Sequence, residues 1–205
     1  MSKANESTIQ KNIPLEYANE EGRVKIIGFW LFLAAEIVLF ASLFAVYLVY
    51  LDRTADGPTA EEIFEIKGVV IQTFLLLISS FTSGLATHEL RRRNTKGVVV
   101  WMIITLLLGV SFLGMEINEF ITYVSEGVNI STSAFWSAFF VLVGTHGVHV
   151  TFGIIWISLI LVQIAREGIN TVTSRKLFIG GLYWHFLDVM WIFIFTAVYL
   201  IGMVL

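Results

Sequence analysis

The sequence predicts an all-α membrane protein, a bundle of five transmembrane helices with its N-terminus in the cytoplasm and its C-terminus outside. Three observations carry that expectation. Apolar residues make up 57% of the 205 and charged residues 14%, with a mean hydropathy of +0.81, a balance foreign to soluble domains. The apolar residues gather into five runs, 26–51, 68–87, 98–117, 134–164 and 177–205. Each reaches or exceeds the roughly 20 residues that cross a bilayer core of about 30 Å. Finally, basic residues divide unevenly between the connections. The N-terminal segment holds four Lys or Arg, the 88–97 link four and the 165–176 link three, whereas the first link holds two (Arg53, Lys67) and the remaining connections none. Eleven against two puts the first group on the cytoplasmic side.

Taken in order, residues 1–25 form a polar segment of mixed charge without the short apolar core or cleavage site of a removable signal peptide. The first run is therefore expected to be a retained helix, and 26–205 one transmembrane domain. The link 52–67 contains Gly57-Pro58-Thr59 and then Glu61, Glu62 and Glu65. Thr59 followed by Glu62 resembles a capping box, which predicts a short surface helix there. The longer runs leave room for tilt. Trp30, Trp101 and Tyr123 suit the aromatic belt at the membrane–water boundary. No ten-residue segments of strict alternation suggest a β-barrel. The absence of Cys excludes disulfides, thiolate metal sites and cysteine nucleophiles. A net charge of −3 with no basic patch interleaved with aromatics gives no footprint for nucleic acid.

The informative residues are the ionisable ones inside the apolar runs, since such side chains in lipid face a neighbouring helix or a wet cavity. They are Glu36 on the first helix, Glu116 and Glu119 on the third, His146 and His149 on the fourth, and His185 and Asp188 on the fifth. The last three helices each carry an i, i+3 pair, placing both side chains on one face. At 1.5 Å per residue, Glu36, His146, His149 and Asp188 share the middle of the membrane. Glu116 and Glu119 are expected at the outer end of the third helix, as a separate site or a solvated cap. For His146, His149, His185 and Asp188 the plain reading is a buried polar cluster that locks the bundle, with His185 touching Asp188. The competing reading is a metal site, but the paired Glu-x-x-His motifs of carboxylate-bridged bundles do not occur. Glu36, alone in an apolar helix, admits either a structural hydrogen bond or a protonation role.

Five stretches resemble a known family. They are GFWLFLAAEIVLFASLFAVY (28–47), TFLLLISSFTSG (73–84), LLGVSFLGMEINEF (107–120), GTHGVHVTFG (144–153) and YWHFLDVMWIFIFTAVYLIG (183–202). In this order they are similar to subunit III of haem-copper terminal oxidases, and the resemblance runs from Gly28 to the C-terminal end. Its five-helix length resembles the short bacterial form. HELRRRNTKGVVVWMIITLLLG (88–109) and SEGVNISTSAFWSAFF (125–140) are most similar to the quinol (menaquinol) oxidases of Gram-positive bacteria. The resemblance implies an accessory subunit of a quinol oxidase in the bacterial plasma membrane. Such a complex oxidises quinol, reduces oxygen to water and translocates protons. It also implies that the chain has no catalytic, cofactor-binding or metal-binding residue of its own, the haem and copper belonging to subunit I. Subunit I is the main partner implied, beside subunit II, a small subunit IV and bound phospholipid in a cleft of the bundle. Glu36 stands where the family has a carbodiimide-reactive carboxylate, which implies a role in proton uptake or at the lipid cleft.

Three other readings compete: subunit III of a cytochrome c oxidase, a small proton-coupled transporter using Glu36 and Asp188, and a membrane metalloenzyme. Transporters of that kind usually show repeat symmetry and broken helices, and the sequence shows neither.

Overall fold

Asn19 accepts a hydrogen bond from the Gly22 amide at 2.8 Å and so starts the first long helix, directly after a single 3₁₀ turn at Leu15–Tyr17. In the computed structural model, which describes residues 14–55, 58–59 and 63–202, five long helices follow: α1 (Glu20–Val49), α2 (Ile66–Arg91), α3 (Thr95–Ser125), α4 (Ala134–Glu167) and α5 (Thr171–Ile194). The last continues as a π-helix, Phe195–Leu200. All five are long and apolar enough to cross a membrane, and no strand occurs among the described residues. The Thr59–Glu62 capping box falls partly outside the described residues.

Polar residues cap the helices at turns that the sequence marks. Asn94 accepts from the Gly97 amide to open α3, after a tight turn in which Arg93 takes a left-handed conformation at φ 57°. Ser133 opens α4 by accepting from the Trp136 amide at 3.2 Å. Gly168, at φ 71°, ends α4 where a side chain would be strained. Two residues later Asn170 and Thr173 form a capping box for α5.

The helices overrun the apolar stretches because polar residues near the caps stay helical above the hydrocarbon. The largest difference is in α3, which continues eight residues past the 98–117 run. Glu116 and Glu119 therefore sit nine and six residues before the helix ends, about 2.5 and 1.7 turns inside it rather than at its end.

α5 is the centre of the bundle. It packs against α1, α2 and α4 and also reaches α3 through Trp184. A Cβ at Gly109 of α3 would lie 2.6 Å from that indole and one at Gly153 of α4 3.2 Å from it, so the two glycines let three helices close on one buried ring. The most apolar window of α5 is 61% buried inside the bundle, against 17% for α1. α1 lies at the rim, presenting Val24, Ile27, Trp30, Leu31 and Val38 outward. Small hydroxyl residues along α2 serve the interior: Ser79 accepts from the Trp184 indole at 3.0 Å, Thr73 accepts from the Trp191 indole at 3.0 Å, and Thr82 meets Thr105 of α3 at 2.8 Å.

Candidate functional site

The mid-membrane polar residues do not form one cluster; the bundle separates them into three places. The first is the seam between α1 and α4. Glu36 Oε2 lies 3.1 Å from His149 Nε2, so Glu36 is not alone: its partner comes from another helix. His149 Nδ1 lies 2.7 Å from the Thr145 carbonyl. A carbonyl only accepts, so Nδ1 carries a hydrogen, and the approach of Nε2 to Glu36 then calls for one proton held between the two, on the ring or on the carboxyl. Phe40 packs against the imidazole at 5.2 Å between centroids, and the Tyr183 hydroxyl donates to the His149 carbonyl at 3.2 Å. The two side chains remain 19% and 14% exposed at the seam.

The second place is a buried layer among α3, α4 and α5. His146 is fully buried, with neither ring nitrogen hydrogen-bonded among the described residues. Three rings enclose it: Trp191 at 5.4 Å, Phe112 at 6.0 Å and Phe40 at 6.4 Å. Glu116 lies against the backbone of Gly147, where a Cβ would come within 2.9 Å of its Oε1. Its buried oxygens have no partner among the described residues, so it is no solvated cap. Asp188 is buried; its carboxyl faces the Ser80 hydroxyl, with no well-formed hydrogen bond among the described residues. The expected contact with His185 is long, 4.0 Å from Nδ1 to Oδ2. His185 Nδ1 instead lies 2.7 Å from the Ser80 hydroxyl, and its ring is nearly half exposed between α2 and α5. The i, i+3 spacing put these pairs on common faces, but two side chains nearly one turn apart on a face still meet different neighbours.

The third place is a knot around Glu119. Its Oε1 accepts from the hydroxyls of Tyr123 and Tyr199, the latter at 3.0 Å, and its Oε2 accepts from Gln72 Nε2 at 2.9 Å. Tyr199 arrives from the π-helix, a rare geometry that often marks functional positions. Tyr123, expected in the aromatic belt, is buried here. Beside the knot a pocket of about 400 Å³ opens between the start of α2 and the second half of α3. Gln72 and Tyr199 were not singled out in the sequence, although a Gln inside an apolar run is a visible signal. Among the described residues no three His, Asp or Glu side chains are grouped to hold a metal ion.

Comparison with known proteins decides the family. Residues 16–203 match the family described as cytochrome c oxidase subunit III. The chain belongs to that family. It is 62% identical over 192 residues to the quinol oxidase subunit 3 of Bacillus subtilis (strain 168), covering 94% of each chain. It is 52% identical to the probable quinol oxidase subunit 3 of Staphylococcus saprophyticus, covering 93% of this chain and 95% of that one. It is also 52% identical to the cytochrome c oxidase subunit 3 of Bacillus sp. (strain PS3), covering 93% of this chain and 92% of that one. A subunit III that crosses the membrane five times is thus a multi-pass protein of a respiratory oxidase.

Proposed function

We propose that this chain is the subunit III of a bacterial quinol oxidase, an accessory subunit that supports proton uptake by subunit I. The observation that carries the donor assignment is the 62% identity with a quinol oxidase subunit 3 across 94% of both chains, ten points above the cytochrome c oxidase relative. The haem and copper of the complex belong to subunit I, which is also the main contact; subunit II and a small subunit IV complete the assembly. The uneven division of basic residues between the links supports a cytoplasmic N-terminus and a C-terminus outside.

Within this reading the Glu36–His149 pair is the chain's working element. It holds one transferable proton at a seam open to lipid, which suits a relay that feeds subunit I or a polar anchor for phospholipid in the cleft. His146, His185, Asp188 and Glu116 have a packing role.

The donor is tested by purifying the oxidase through a tag on this chain. Turnover with menaquinol and none with reduced cytochrome c is expected; the reverse would make the chain a cytochrome c oxidase subunit. Glu36→Gln keeps the hydrogen-bonding shape and removes the exchangeable proton. It should leave assembly intact while slowing proton uptake or hastening inactivation during prolonged turnover. Parental pumping and parental lifetime in Glu36→Gln would reduce the pair to a structural contact.

A further inference from the structure

The pocket beside Glu119 is built for a donor, and nothing in the reading above uses it. Of its lining residues none is basic, while Glu65, Glu119 and Glu126 are acidic. An acidic rim alone would mean little at a membrane surface. Two further observations give it direction. Glu119 is held by three neutral donors from α2, α3 and the π-helix, with no cation among them, so its charge is oriented and not neutralised. Gln72, only 1% exposed, also lines the pocket. Its amide nitrogen is committed to Glu119, which fixes the flip of the amide and leaves Oε1 as a buried acceptor with no hydrogen bond among the described residues.

Shape adds to charge. The lining along α3 and its C-cap runs from Ser111 to Glu126, on the order of 22 Å along the helix axis, from the acidic rim down into the hydrocarbon. Gly114 in its middle has nothing within 4 Å of the position a Cβ would take, so the backbone itself walls an open groove. Acceptors at the top and a bare groove below match a molecule with a cationic donor at one end and an alkyl chain at the other.

We infer that this groove between α2 and α3 is a binding site for an aminophospholipid, its primary ammonium seated at Glu119 with Glu65 and Glu126 around it, and an acyl chain lying along Gly114. The site is separate from the Glu36–His149 seam and does not depend on which donor the oxidase uses. The absence of basic residues in the lining disfavours a lipid whose headgroup carries only a phosphate charge.

The test uses the purified oxidase complex in nanodiscs of phosphatidylglycerol containing a small fraction of phosphatidylethanolamine with a diazirine on one acyl chain. Irradiation and peptide mapping should label the 111–126 stretch. Glu119→Gln should lower that labelling by about tenfold, the scale of one charge-assisted hydrogen bond. Because Glu119→Gln also disturbs the knot, Gly114→Leu is the second variant. Its Cβ has no protein atom within 4 Å, its side chain reaches into the groove and should abolish the labelling, while Gly28→Leu, whose Cβ is equally open on α1, should leave it unchanged. Equal labelling by a diazirine phosphatidylglycerol would overturn the proposal, as would labelling that survives both pocket variants. Protection by soluble ethanolamine as strong as that by unlabelled phosphatidylethanolamine at the same concentration would overturn the lipid in favour of a free amine.

Discussion

Two carboxylates one turn apart on α3 occupy opposite environments. Glu119 collects three hydrogen bonds from three elements, whereas Glu116 collects none among the described residues and rests on the backbone of α4 at Gly147. Around Glu119 the bundle is tied by polar groups. Around Glu116 and His146 it is tied by rings: Trp191 meets Phe112 at 4.7 Å in an edge-on contact and covers His146 at 5.4 Å. The difference teaches that a polar side chain inside a membrane bundle has to be judged by its partners and not by its depth. Helix association in lipid rests on packing and on hydrogen bonds, and this chain uses the two in separate layers.

The aromatic layer should break most readily. Trp191 is 1% exposed, and its indole N–H is spoken for by Thr73. Trp191→Ala opens a cavity among α2, α3, α4 and α5 and is expected to cost about 3–5 kcal/mol. The readout is the thermal midpoint of the purified oxidase and the fraction that retains this chain. Trp30→Ala, on the outward face of α1, should leave both near the parental values. Similar losses from the two variants would mean that the rim of the bundle is as tightly held as its centre.

The polar knot should follow. Glu119→Met keeps a side chain of comparable length but strands the hydroxyls of Tyr123 and Tyr199 and the amide of Gln72. Leaving buried donors unpaired should cost about 2–3 kcal/mol in all, since donors in one network do not add. Glu119→Gln preserves an acceptor and should recover a good part of the loss in the same thermal assay. If Glu119→Met were neutral, the knot would be a crowd of contacts with no net stabilisation.

Much of this architecture was legible in the sequence because the bilayer imposes a simple length rule. Five runs of sufficient length became five helices, and the caps at Asn19, Asn94, Ser133 and Asn170 stand at polar breaks between them. The partnering of the intramembrane polar groups was less legible. Spacing put His146 with His149 and His185 with Asp188, because i, i+3 residues share a face. The actual partners come from other helices: Glu36 for His149 and Ser80 for His185. Which helices adjoin, and at what height, depends on where glycines such as Gly109 and Gly147 make room for the Trp184 and Glu116 side chains of neighbouring helices, and a single run of residues does not carry that. Glu116 was misplaced for a further reason. The apolar stretch ends near it, but the helix continues through Asn118, Glu119 and Thr122 to Ser125, since a polar residue turned toward a partner helix is no reason for a helix to stop.

The smallest effect is expected where the comparison is sharpest, at Glu116. Its two oxygens are buried without a hydrogen bond among the described residues, so removing them forfeits no bond and relieves the cost of holding a polar group away from water. Methionine has similar length, and its flexible thioether can settle against Gly147 without forcing the helices apart. Glu116→Met should therefore shift the stability of the complex by less than about 1 kcal/mol in either direction, well below the loss for Glu119→Met one turn later. Both variants should be read in the same thermal unfolding series, with retention of this chain in the complex as the second measure. A loss at Glu116 as large as that at Glu119 would mean that its carboxyl has a partner outside this chain, either bound water or a donor from a neighbouring subunit. The aromatic layer would then be a second polar knot, closed only on assembly.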